Sequence, residues 1–90
     1  MMVDEFRQRL AATASTNPNI LELYLSGRDL QTLTIWAVIA EWDHDTEVNV
    51  GETASRLIAE NPQLSIDSLI VAAGSKGSIL PRDAERIYSK

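Results

Sequence analysis

Apolar side chains recurring at the helical period through 90 residues predict an all-α fold, a compact single-domain bundle of five or six short helices over residues 1–90. Three observations carry that expectation. Positions spaced i, i+3, i+4 and i+7 are apolar through most of the chain. Two Asn-Pro pairs, Asn17-Pro18 and Asn61-Pro62, punctuate it, and cap-type residues (Asn19, Asn49, Ser65) stand where new apolar runs begin.

Val3, Phe6, Leu10 and Ala14 share a face of the first helix, with Asp4 able to cap it and Asn17-Pro18 to stop it. Asn19 with Glu22 three residues on has the form of a capping box, so a short helix should run to Leu25 and end at Gly27. From Leu30 to Trp42 a third helix carries Ile35, Val38, Ile39 and Trp42 on one face. Leu33, Trp36, Ala37 and Ala40 fill most of its remaining circumference, and a helix apolar all round belongs at the centre of a fold. Asp43 to Glu47 reads as a polar loop and Val48 to Val50 as a very short extended segment. Asn49 and Glu52 then start a helix with Val50, Ala54, Leu57 and Ile58 on its face. Ser65 caps the next, in which Ile66, Leu69, Ile70 and Ala73 align before Gly74. Gly74 to Ser78 is a flexible turn, and Pro81 opens a last helix with Leu80, Ala84, Ile87 and Tyr88 on one side.

Composition narrows the classes of function. With no cysteine there is no disulfide framework, zinc knuckle, thiolate nucleophile or iron–sulfur ligation, and a reducing cytoplasm is the expected location. The longest unbroken apolar stretch, Ile35 to Ala40, is far short of the roughly 20 residues a membrane span needs, so no membrane partner is expected. The first residues lack the basic start and apolar block of an export signal. The formal charge is −5. Residues 1–50 hold three basic and eight acidic side chains and residues 51–90 five of each, so the imbalance lies in the first half. A net acidic chain is repelled by phosphate backbones, which argues against nucleic acid as a partner and for a protein with a basic surface.

No glycine-rich phosphate loop, paired-histidine metal motif or nucleophile elbow occurs, and the single histidine, His44, stands between Asp43 and Asp45. No catalytic residue, metal or cofactor is therefore expected, and the chain reads as non-enzymatic. Glu41, Asp43, Asp45, Glu47 and Glu52 fall in twelve residues without Lys or Arg. In the frame of a calcium loop, oxygen-bearing residues occupy positions 1, 3, 5, 7, 9 and 12, from Glu41 to Glu52, and the segment resembles a degenerate EF-hand, with Thr46 where the loop's glycine belongs. Helices over 50–60 and 66–73 also resemble a helix-turn-helix, although no basic residue occurs between Arg56 and Lys76. Asp67-Ser68-Leu69 resembles the tripeptide that carries phosphopantetheine in acyl carrier proteins, without that family's glycine-containing lead-in.

Trp36 and Trp42, six positions apart, would point in different directions from one helix, and a surface aromatic often marks a partner contact. The expected function is thus a small acidic binding or regulatory module (an inhibitor, adaptor or assembly factor) acting through protein–protein contact. Its partner-binding residues would be Glu41, Trp42, Asp43, Asp45 and Glu47. A helix-turn-helix DNA-binding regulator is the alternative and a calcium-associated protein the lesser one. A broad apolar helix also leaves a homodimer open.

Overall fold

The computed structural model describes residues 3–29 and 32–90, without the side chains of residues 3, 4, 6, 28 and 29. The expected cap at Asp4, the apolar contacts of Val3 and Phe6, and the expected helix start at Leu30 lie outside what is described. The element order is α1 (Val3–Ser15), β1 (Ile20–Asp29), β2 (Thr32–Ile39), α2 (His44–Glu60), β3 (Ser65–Ala72), a 3-10 turn (Ala73–Ser75) running into the single-turn α3 (Lys76–Ile79), and β4 (Glu85–Ser89). The strands form one mixed sheet in the order β3-β2-β1-β4. β1 pairs antiparallel with both β2 and β4, whereas β2 and β3 run parallel. A parallel pair needs a crossover, and α2 supplies it.

The all-α expectation is therefore wrong: the fold is α/β, and four segments expected as helices are strands. In β1, Leu21, Leu23 and Leu25 alternate with Glu22, Tyr24 and Ser26, a period of two. In β2, the run Thr-Leu-Thr-Ile-Trp-Ala-Val-Ile is rich in β-branched and aromatic residues, which fit a pleated surface. Its all-round apolar character arises because Ile35, Ala37 and Ile39 face one layer and Val38 another, and all four are at most 2% exposed. A strand buried on both faces looks, by periodicity, like a central helix.

The two long helices lie on one face of the sheet. Leu10 and Ala14 of α1 and Val50, Ala54 and Leu57 of α2 pack on Ile20, Leu23, Leu25, Ile35, Ala37, Ile39 and Ile66. Ion pairs tie the layers at their rims: Arg7 of α1 holds Glu85 of β4 with two hydrogen bonds, of 3.0 and 2.6 Å, and Arg9 pairs with Glu60 of α2. The expected loop over Asp43 to Glu47 is the start of α2, and the segment Val48 to Val50, expected to be extended, is helical within it. Asp43 is its N-cap, in extended conformation, accepting from the Asp45 amide at 3.4 Å and from the Thr46 hydroxyl at 3.0 Å. Asp45 and Glu47 occupy the first turn, where the helix dipole favours negative charge. The helix ends at Asn61, before Pro62. Asn19 joins the neighbouring ends: its side chain binds Glu41 through both backbone groups and donates to Thr46 at 2.9 Å.

The return from β3 to β4 must pass from one edge of the sheet to the other, and it crosses the face opposite α1 and α2. Lys76 of α3 reaches Glu22 of β1 at 2.5 Å. Val38 and Val71, which point away from the long helices, are only 1% and 2% exposed. No helix among the described residues is long and apolar enough to cross a membrane.

Candidate functional site

The strap formed by residues 73–84 covers the half of the sheet face near the C-terminal ends of β2 and β3. Among the described residues the half nearest the β1–β2 hairpin is the less covered one, with Asp67 and Leu69 exposed. Register brings three polar side chains side by side there: Ser26 of β1 lies opposite Thr34 of β2, and Thr34 lies opposite Asp67 of β3. Asp67 is exposed, and the two hydroxyl residues are half-buried. One step down the strands stand Arg86, Tyr24, Trp36 and Leu69, and below them Glu22, Val38 and Val71 under the strap.

Hydrogen bonding orients this surface. The Trp36 indole N–H donates to Ser26 Oγ at 2.8 Å, so the serine oxygen already accepts one hydrogen bond and its hydroxyl can still donate. Glu22 receives the Lys76 ammonium at 2.5 Å, the Tyr24 hydroxyl at 3.2 Å and Arg86 at 3.4 Å. The hydrogen bond from Lys76 does most to hold the Glu22 carboxyl below its ordinary value of 4.5, against the opposing effect of burial. The same contact raises Lys76 above 10.5. Glu22 thus anchors the strap and β4 to β1, and lies beside the open polar row without belonging to it.

A depression of about 280 Å³ between α1 and α2, lined by Arg9, Thr13, Thr53, Arg56 and Glu60, offers less chemistry. Its threonine hydroxyls donate to carbonyls one turn back in their own helices, and Arg9 is committed to Glu60 and Glu5.

The residues expected to bind a partner lie at the opposite end of the sheet. Glu41, Trp42, Asp43, Asp45 and Glu47 are brought together where β2 passes into α2, all exposed, with Trp42 at 65%. The position before an N-cap usually packs on the fourth helical residue, but here that residue is Glu47, which explains the bare indole. Asp43 has a structural task as the cap of α2, where a polar loop was expected. His44 is exposed at the first position of α2. The calcium-loop frame fails on structure: a strand precedes it, and all but its first three residues lie in α2. The helix-turn-helix and the carrier-protein serine fail together, since Ser65–Ala72 is a strand.

No family model and no curated protein matches the sequence. Among solved structures, the chain resembles a protein from Sulfolobus solfataricus described as a proposed nucleotidyltransferase, with a TM-score of 0.63 and 19% identity, over 99% of this chain and 81% of that one. The likeness is one of fold. It corrects the reading of the chain as a non-enzymatic helical module acting through protein–protein contact, since the described residues form no helical bundle and share their fold with a protein described as a proposed nucleotidyltransferase.

Sequence reasoning missed the Ser26–Thr34–Asp67 row because the three residues meet only through strand register. The signal available was the period-two alternation of β1, which places Glu22, Tyr24 and Ser26 on one face.

Proposed function

We propose that the chain is a nucleotidyl-transfer domain that seats a magnesium-bound nucleoside triphosphate on the open half of its sheet. The observation that carries this reading is the row Ser26, Thr34 and Asp67 on three adjacent strands, in an architecture like that of a proposed nucleotidyltransferase. Fold alone does not fix function, so the donor set must support it. Ser26 and Thr34 supply hydroxyl donors for phosphate oxygens, and Trp36 beside them supplies an aromatic wall. Asp67 would repel a bare triphosphate, and a divalent cation between the two converts that repulsion into attraction.

The donor set fits one such ion, because magnesium is commonly held by one or two carboxylates together with substrate phosphates. Asp67 would hold it, with Ser26 and Thr34 steering the phosphates. When bound, the ion would polarise a phosphoryl oxygen and neutralise its charge. Among the described residues no three metal-ligating side chains cluster, so the ion would be held by Asp67 together with the substrate phosphates and not by the protein alone.

Calorimetric titration with ATP, GTP, CTP and UTP, each with magnesium, tests the reading. At least one should bind saturably, Asp67→Asn should weaken it roughly tenfold or more, and omission of magnesium should do the same. Pyrophosphate release from the bound nucleotide reports the transfer itself. No saturable binding of any of the four, or unchanged binding by Asp67→Asn, refutes the assignment.

A further inference from the structure

β3 ends the sheet, with β2 as its single neighbour in it. A terminal strand presents a row of N–H and C=O groups that another strand can meet, and proteins usually guard such edges with charge, proline or brevity. The two edges of this sheet differ in that respect. β4 has five residues, and its Glu85 and Arg86 are both in ion pairs. β3 has eight, Ser-Ile-Asp-Ser-Leu-Ile-Val-Ala, with one charge, no proline, and Leu69 left 47% exposed.

We propose that β3 pairs antiparallel with β3 of a second copy, about a two-fold axis at Leu69, continuing the sheet through both chains. A closed dimer of identical chains presents the same patch twice, and an antiparallel strand edge is complementary to itself in that way. The register follows from the side chains. Because residues opposite each other share a face, Leu69 meets the partner's Leu69 and Asp67 meets the partner's Val71. The two Asp67 carboxylates then lie about 14 Å apart along the strands, at 3.4 Å per residue. Centring the axis on Asp67 would oppose the two carboxylates directly, and centring it on Ser68 would set Asp67 against the partner's Leu69, leaving neither leucine an apolar neighbour.

A single strand edge makes a small interface, so association should be weak and dependent on concentration. Each copy carries a formal charge of −5, so added salt should strengthen the dimer by screening their repulsion. The absence of cysteine from the chain allows a direct test. Leu69→Cys should form an intermolecular disulfide under mild oxidation, because residues directly opposite across strands have Cβ atoms about 5 Å apart. Ser65→Cys should not, since the two copies of that position would stand about 27 Å apart. Sedimentation of the unmodified chain between roughly 10 µM and 1 mM should show reversible dimerisation. Leu69→Lys, with its circular dichroism retained, should weaken that association about tenfold or more. A chain still monomeric at the highest concentration overturns the proposal, whether or not a foreign strand can use the edge. Equal cross-linking at positions 65 and 69, or unchanged association of Leu69→Lys, overturns it too, by placing any dimer contact elsewhere.

Discussion

The two faces of the sheet are built from the same four strands and do different work. The face under α1 and α2 is aliphatic and dry, with Ile35, Ala37 and Ile39 at most 2% exposed. The face beneath the strap carries an ion-paired glutamate at one end and an open polar row at the other. Since neighbouring residues of a strand belong to opposite faces, a shift of one position separates stability from chemistry. Substitutions at adjacent positions of one strand should therefore have unrelated consequences.

The sharpest form of that contrast lies within β2. Ile39→Ala should cost about 2–5 kcal/mol, as buried large-to-small changes do. Thr34→Val, on the open face, should stay within about 0.5 kcal/mol, the range of surface changes away from special features. Urea denaturation of both variants measures the difference. Comparable losses would mean that the open face is packed in solution and that the contrast is false.

That contrast also explains what the sequence could reveal. The end of α1 and the end of α2 were legible because Asn17-Pro18 and Asn61-Pro62 stop helices locally, whatever lies around them. β2 was not legible, because burial on both faces erases the alternation that marks a strand and leaves positions that also satisfy i, i+3, i+4 and i+7. β3 has the same ambiguity, with Ile66, Leu69 and Ile70 at helical spacing although Leu69 faces away from the other two. The candidate site was hidden for a further reason: Ser26, Thr34 and Asp67 lie far apart in the chain and meet only through pairing register. The acidic run, by contrast, was conspicuous in composition, and it includes a helix cap and a first turn that local electrostatics account for.

The next contrast concerns the strap. Glu22 has a carboxyl held below 4.5 in the folded state, so folding favours its charged form. The stabilisation is complete above about pH 4.5 and is lost as pH falls through the lower folded-state value. Glu22→Gln should therefore cost about 1–2 kcal/mol at pH 7, the scale of hydrogen bonds to a charged group reduced by the exposure of its cationic partners. The deficit should shrink as pH drops below 4.5, where the wild-type carboxyl also becomes neutral. Denaturant midpoints at pH 7 and pH 3 measure it. A deficit constant over that range would show that Glu22 acts by shape alone.

The last contrast lies on the helix-covered face, where packing leaves a half-open cleft of about 20 Å³ bordered by Leu10, Ala14, Leu23, Ile35 and Val50. Thr13 and Thr53 also line it, but their hydroxyls are bonded to the carbonyls of Arg9 and Asn49, so neither leaves a hydroxyl proton for a trapped water. Asn49 lines it too, and because the space is half-open to solvent its wall atoms lack protein contacts on one side. Val50→Ile adds one methylene at the border of that space without changing the β-branched character of the side chain. It should stabilise the chain by about 0.5–1 kcal/mol, the usual yield of filling a small void. For a domain of this size that corresponds to a rise of roughly 2–8 °C in melting temperature. The same addition in a fully packed layer forces side chains off their rotamers and costs about 1–3 kcal/mol. The sign of the change therefore separates the alternatives: a lower melting temperature would mean that this face is already filled and that no slack remains between α1, α2 and the sheet.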